Sequence, residues 1–219
     1  ISSRGNAVDF GENIPHRGAG GLSDRTRGVF PSVNGGTNVI RYITMATTGT
    51  VQDFGDAYVA AASGGSFASP TRGVSGGGDS PAYTNVIQYI TITTLGTSAD
   101  FGDLSTLRGY PVGTSSATRG LFMGGFNPSP LNANMNTIEY VQIANLGNAS
   151  DFGDLVVASR HAGGTSNCIR AIAGAGFPGF AGSIDQVNIA TTGNAIDYAD
   201  MSQVRRGYSG CSNAHGGLG

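Results

Sequence analysis

The sequence predicts an all-β fold, a β-propeller of four-stranded antiparallel blades, and three observations lead to this prediction. A motif, Asp-Phe-Gly-Asp, recurs at blade-sized intervals; a segment of alternating polar and apolar residues precedes most copies; and a glycine-containing turn separates the two. Together they define a repeating unit of short strands.

The motif sets the length of the repeat. It begins at Asp53, Asp100 and Asp151, and weaker copies begin at Asp9 and Asp197, so successive copies lie 44, 47, 51 and 46 residues apart. A four-stranded propeller blade takes about 40–50 residues. The chain therefore contains five copies of a blade-sized unit.

Two strands of each unit flank a tight turn. Residues 136–143 alternate as a half-buried strand should, and the matching segments are residues 38–44, 85–91 and 183–189. Glycine accepts positive φ, which suits the hairpin turn that follows. It stands at one fixed place in the repeat, at Gly5, Gly49, Gly96, Gly147 and Gly193. The strand that carries the motif comes next.

Two further strands complete each blade. One consists of small residues, as in residues 60–65 and 162–165, and the other starts with arginine and ends in glycines, as in residues 72–77 and 119–125. Blades converge on the propeller axis, so the innermost strand has the least room. We expect the small-residue strand to be innermost.

A strand that ends in two glycines, followed by a variable loop and a strand with tyrosine, resembles the kelch motif; residues 119–125 and Tyr140 show the pattern. This resemblance covers nearly the whole chain and implies a propeller with ligand-binding loops on one face. Where kelch repeats carry a late tryptophan, the chain has Phe54, Phe101, Phe152 and Tyr198. Asp-Phe-Gly-Asp together with Tyr-Ile-Thr-Ile also resembles repeats in large structural proteins of marine bacteriophages, which implies a virion component such as a tail fibre.

The two ends of the chain are half-units. Residues 1–12 match the second half of a blade, and the residues near the C-terminus match the first half. We expect one domain, residues 1–219, with blades at about 13–56, 57–103, 104–154 and 155–200, and a fifth shared by 201–219 and 1–12. Closure would remove exposed sheet edges. The alternative is a fragment of a six- or seven-bladed propeller, and the start at Ile1 favours a piece of a longer polypeptide.

The amino-acid composition limits the classes of partner that the protein is expected to bind. The chain has twelve arginines, no lysine and a net charge of −2, which argues against nucleic acid and anionic membranes as partners. It contains no apolar run of about 18 residues, so we expect no helical membrane insertion. The two cysteines define neither a disulfide framework nor a metal site, and no cofactor is predicted.

The loops between the second and third strands vary most and carry the predicted binding residues. Aromatic rings beside amide and hydroxyl groups suit a glycan or a protein surface as ligand. The candidates are Tyr83, Phe126, Asn127, Asn132, Phe177 and Phe180. A set of loops that only cap the blade ends is the alternative interpretation.

The repeated charges are predicted to be structural. Arginine recurs with the same period as the motif, so we expect fork-shaped Arg–carboxylate pairs among Asp53, Asp100, Asp151, Arg72, Arg119 and Arg170. Calcium is the alternative partner of these aspartates, but a calcium site needs six or more oxygens and the chain has no Asp-x-Asp-x-Asp loop. No metal site is therefore predicted.

The sequence favours a non-catalytic binding or structural module, in a virion or an extracellular protein, over an enzyme. Asp-Phe-Gly does not indicate a kinase because the chain lacks lysine and a His-Arg-Asp loop, and no nucleophile turn is present. A carbohydrate-active enzyme that uses Asp79 or Asp185 on the loop face is one alternative; it would need paired carboxylates. A purely architectural domain is the other.

Overall fold

The structure is a computed structural model that describes residues 6–12, 20–31, 37–174, 176–177, 182–203, 207 and 209–211. This part of the chain forms sixteen β-strands and no helix. The strands make four separate four-stranded sheets, each antiparallel and in chain order. The predicted all-β fold of four-stranded propeller blades is confirmed.

The four sheets are blades 1 to 4. Blade 1 contains β1 (Leu22–Ser23), β2 (Arg27–Phe30), β3 (Val39–Thr44) and β4 (Gln52–Asp56). Blade 2 contains β5 (Gly65–Ala68), β6 (Arg72–Gly76), β7 (Val86–Thr91) and β8 (Ala99–Asp103). Blade 3 contains β9 (Val112–Ser115), β10 (Arg119–Asn127), β11 (Ala133–Gln142) and β12 (Ser150–Asp154). Blade 4 contains β13 (Gly163–Ser166), β14 (Arg170–Gly174), β15 (Ser183–Asn188) and β16 (Ile196–Asp200).

The first strand of each blade is innermost, as its small residues predict. β1, β5, β9 and β13 neighbour one another in turn and surround an axial channel. The channel wall includes a glycine from each of five segments, namely Gly21, Gly65, Gly113, Gly164 and Gly210. The small-residue strand predicted at residues 60–65 is corrected, because residues 57–64 form the link from β4 and β5 begins at Gly65.

The Asp-Phe-Gly-Asp motif joins each blade to the next. In blade 2 it forms a β-bulge, so that Phe101 is left unpaired and turns into the core, where it is 2% exposed. The Phe101 carbonyl accepts the N–H of Gly147, which lies in the β11–β12 turn of blade 3, at 2.8 Å. Gly102 has a φ of 146°, and a Cβ there would overlap the carbonyl of Gly147. The same close backbone contact joins Gly11 to Gly49, Gly55 to Gly96 and Gly153 to Gly193, which explains why the motif recurs with its glycine in these copies.

Residues 6–12 contact blade 1 in the same way as the Asp-Phe-Gly-Asp motif of one blade contacts the following blade. The N–H of Gly49 donates to Phe10 at 2.8 Å, just as the N–H of Gly96 donates to Phe54 in blade 1. On the other side of the ring, Gly210 packs against the backbone of Gly164 in β13. These are the places of the fourth and first strands of the predicted fifth blade. The remainder of that blade lies outside the described residues, and the division into one domain stays a prediction.

Candidate functional site

The variable loops lie on one face of the propeller, together with the links that lead from each fourth strand into the next blade. Short β-bridges join the two kinds of segment in three blades, at Ala62 with Ser80, Gly109 with Phe126, and Arg160 with Phe177. We call this side the loop face. Since strand order is fixed, the turns between first and second strands lie at the opposite face.

Three of the predicted binding residues lie in one row across blades 2, 3 and 4. The ring centroids of Tyr83 and Phe126 are 6.0 Å apart. The guanidinium carbon of Arg160 lies 4.4 Å from the Phe126 centroid and 4.7 Å from that of Phe177. We call these four residues the aromatic ladder; all are half-buried. Arg160, which stands in a link and not in a variable loop, is the member that the sequence interpretation missed.

The other predicted loop residues have different positions. Asn127 is fully buried at the end of β10, so it is not available to a ligand at the surface. Asn132 is exposed and has a φ of 45°, a conformation that asparagine tolerates well in a turn. Phe180 lies outside the described residues. The prediction for Asn127 is corrected because β10 and β11 extend to Asn127 and Ala133, which converts much of the expected loop into strand.

Where the axial channel opens on the loop face, three equivalent residues of successive links surround it. Ser63, Tyr110 and His161 all have positive φ, at 59°, 59° and 56°. The Tyr110 and His161 rings lie 3.9 Å apart between centroids. The Tyr110 hydroxyl donates to the carboxylate of Asp79. We call Ser63, Tyr110 and His161 the channel mouth.

Behind the channel mouth is a cavity of about 300 Å³, and a second cavity of about 240 Å³ follows along the same inner strands. The wall of the first is formed by glycine and serine residues of the inner strands and by the Tyr110 and His161 side chains. Neither a carboxylate nor a guanidinium group of the described residues lines it. The described wall of the cavity is thus polar and in part aromatic.

Asp185, one of the two carboxylates considered for catalysis, holds the fold together. It is 5% exposed, accepts the N–H of Val156 at 2.8 Å and accepts the hydroxyl of Ser183 at 2.6 Å. Gln88 occupies the same repeat position in blade 2 and binds the N–H and carbonyl of Val59 in the preceding link. Asp185 therefore has a structural role, since it binds the link before blade 4 to β15. Asp79, in contrast, lies beside the channel mouth.

Of the aspartates and arginines predicted to pair, Asp53, Asp100, Arg72 and Arg119 have other partners. Asp53 and Asp100 are exposed on the outermost strands, and each accepts the N–H of the motif glycine two residues later, at 2.9 and 3.1 Å. Arg72 stacks on Tyr89 with its guanidinium carbon 4.5 Å from the ring centroid and donates to the Ile143 carbonyl of blade 3 at 2.6 Å. Arg119 makes the same contacts with Tyr140 and Ile189, whereas Asp151 and Arg170 are exposed. None of the six forms an ion pair in the described part of the chain, because the third strand of each blade separates the two sets.

Replacing Arg72 with methionine is expected to lower the free energy of unfolding by about 1–2 kcal/mol, since one hydrogen bond between blades and one cation–π contact are lost. Arg170→Met is the matched control; Arg170 is exposed in blade 4, and we expect a change below about 0.5 kcal/mol. Chemical denaturation of the two variants measures the difference. Equal effects would show that Arg72 does not join blades 2 and 3.

The sequence matches no protein-family model and no curated protein. Within the described residues, no three His, Cys, Asp or Glu side chains come together as a metal site. No helix in that part of the chain is long and apolar enough to cross a membrane. The candidate site therefore consists of the aromatic ladder and the channel mouth.

Proposed function

We propose that the protein is a non-catalytic recognition module that binds carbohydrate through the loop face of its propeller. The aromatic ladder is the observation that carries this proposal. Half-buried aromatic rings offer flat apolar surface for the C–H faces of sugar rings, and neighbouring backbone and hydroxyl groups can bond sugar hydroxyls. Loops on a rigid β scaffold are a common location for such recognition.

The construction of the ladder supports a binding role. Arg160 is held between two rings, Phe126 and Phe177, which come from different blades. Beyond Phe126 the row continues to Tyr83, which packs against Gly109 where a Cβ would meet the tyrosine ring at 2.6 Å. The side chains are thus positioned before any ligand arrives, and preorganisation reduces the entropy lost on binding.

We further propose that the protein acts in a virion or outside the cell, as a tail fibre or a comparable recognition component. This part rests on the sequence resemblance to phage structural repeats and on a composition low in charge. The neighbouring genes test it. Tail or capsid genes beside this one would support the proposal, and a metabolic operon would contradict it.

A glycan array with the purified protein tests the carbohydrate proposal. We expect binding to a limited set of glycans, and we expect Phe177→Leu to weaken it about tenfold, as the loss of a central aromatic contact typically costs more than about 1 kcal/mol. Ile169→Ala is the control, because Ile169 is 59% exposed in a turn at the opposite face. Binding that both variants retain would contradict a role for the ladder. Failure to bind any glycan would contradict the proposal itself, and hydrolysis of bound glycans would indicate an enzyme instead.

A further inference from the structure

The backbone at the channel mouth is strained in the same way in three blades. Ser63, Tyr110 and His161 occupy one repeat position, and all three have a left-handed conformation that glycine would adopt at no cost. A residue with a Cβ is disfavoured there. Each of the three positions nevertheless carries a side chain, and two of those side chains are ring-bearing and polar. Strain of this kind concentrates where a side chain must be held in a defined place for function.

The strained residues are linked around the channel. The N–H of Tyr110 donates to the carbonyl of Ser63 at 2.9 Å, and the N–H of Gly207 donates to the carbonyl of His161 at 3.0 Å. Asp79 holds the Tyr110 hydroxyl, and the Tyr110 ring packs against His161 with an interplanar angle of 37°. The two rings are therefore fixed relative to each other and to the cavity that they line.

The cavity suits a small neutral ligand with many hydroxyl groups. Its volume of about 300 Å³ is at the lower end of the range of small-molecule pockets, about 300–1,000 Å³. The inner strands are edge strands of their sheets, so one side of each presents backbone N–H and C=O groups to the channel. Ser63 and Ser209 add hydroxyl-bearing residues to the same wall. Sugar hydroxyls both donate and accept, which matches such a wall.

We propose that the channel mouth binds a single neutral sugar residue, the end of a glycan whose remaining residues lie along the aromatic ladder. The proposal rests on the carbohydrate function proposed above and names the site of the terminal residue. The Tyr110 and His161 rings contact the apolar face of the sugar ring, and Ser63 together with the backbone of the inner strands bonds its hydroxyls. Asp79 acts as a positioning residue that holds Tyr110. We expect neutral sugars to bind better than acidic ones because no arginine of the described residues lines the cavity to balance a carboxylate.

Saturation-transfer difference NMR with methyl glycosides tests the site directly. We expect signals for at least one of the galactoside, glucoside and N-acetylglucosaminide, and weaker signals for the glucuronide and for sialic acid. Transfer to an acidic sugar alone, or to no monosaccharide, would overturn the inference.

Two variants connect binding to the mouth. Asparagine tolerates positive φ, so Tyr110→Asn and His161→Asn remove the rings and keep the backbone conformation. We expect each to weaken monosaccharide binding at least tenfold with an unchanged melting temperature, whereas Ile169→Ala, at the opposite face, leaves it unaltered. Full binding by both asparagine variants would overturn the inference.

A change in melting temperature would make the loss of binding ambiguous, and Tyr110→Phe resolves that case. It keeps both rings and removes only the hydroxyl held by Asp79, so we expect intermediate affinity. Affinity equal to that of the native protein would show that Asp79 does not position Tyr110. If monosaccharides bind at the mouth but the array signal does not depend on Phe177, the site stands and the ladder proposal falls. If the array signal depends on Phe177 but not on Tyr110 or His161, the ladder proposal stands and the channel-mouth inference is overturned.

Discussion

Replacing Glu139 with alanine is expected to lower the free energy of unfolding by about 3–5 kcal/mol, because it leaves a buried guanidinium without its counter-charge. Glu139 is 2% exposed, and its Oε2 lies 2.6 Å from Nη2 of Arg108, which is 0% exposed. Its other oxygen accepts the N–H of Ser105 at 3.0 Å. Burial lowers the pKa of Arg108 and the carboxylate of Glu139 opposes this shift, so removal of the acid leaves the cost of desolvation uncompensated.

The chain supplies the control for this prediction. In blade 2 the position of Glu139 is held by Gln88, and the position of Arg108 is held by the apolar residue Ala61. A double variant, Arg108→Met with Glu139→Gln, reproduces that neutral pairing while filling most of the arginine's volume, and we expect it to recover at least half of the lost stability. Urea denaturation of the native protein, the single variant and the double variant measures this. A loss below about 1 kcal/mol in Glu139→Ala would show that the pair does not stabilise the link between blades 2 and 3.

The blade repeat could be predicted from the sequence because one packing contact recurs at successive blade interfaces. In blades 1 to 3 the motif phenylalanine fills the core, and the motif glycine allows the turn of the next blade to approach its backbone, so both residue types recur. Blade 4 departs from this, because its motif has Ala199 in place of the glycine and an exposed Tyr198. The inner strands could be predicted for a similar reason, since the converging blades leave room only for small side chains. A packing contact that repeats from blade to blade requires the same residue types at a regular interval in the sequence, and that interval can be recognised.

The channel mouth could not be predicted in this way. Tyr110 and His161 share a repeat position but differ in type, and they are 51 residues apart. Their contact depends on the angle between blades 3 and 4, which the repeat pattern does not specify. Aligning the links would have placed Ser63, Tyr110 and His161 in one column beside the axis. The left-handed backbone would have remained hidden, because glycine, the usual indicator of positive φ, is absent from all three positions.

Features that occur in a single blade could not be predicted from the sequence for a related reason. Among the described residues, the Arg108–Glu139 ion pair occurs in blade 3 alone. The periodic charges led instead to the predicted Arg–carboxylate pairs, although their period reflects two separate repeated contacts. The arginines reach a carbonyl of the next blade, as Arg72 does to Ile143, and the aspartates bind the nearby glycine N–H, as Asp100 does to Gly102. A shared period shows that two residues repeat together, not that they touch.

The second large effect on stability is expected at Gly102, the motif glycine that contacts the next blade. Gly102→Ala is expected to lower the free energy of unfolding by more than about 3 kcal/mol, because strain at its φ of 146° adds to a clash between the new Cβ and the backbone of Gly147. The hydrogen bond from the Gly147 N–H to the Phe101 carbonyl would break when the two blades separate to make room.

The Gly147→Ala variant shows how much of the expected loss in Gly102→Ala comes from backbone strain and how much from the steric clash at the same interface. Gly147 has a φ of 148°, nearly that of Gly102, but a Cβ there would meet nothing within 4 Å. The strain alone predicts a loss of about 1–3 kcal/mol for this variant, so the difference between the two alanine variants measures the cost of forcing blades 2 and 3 apart. Gly96→Ala, in the corresponding turn of blade 2, has a φ of 150° and open space around its Cβ, and it extends the comparison to the interface between blades 1 and 2. If Gly102→Ala and Gly147→Ala destabilise the protein equally, close backbone approach between blades is not what the repeated motif provides, and the bulge that buries Phe101 would have to explain it alone.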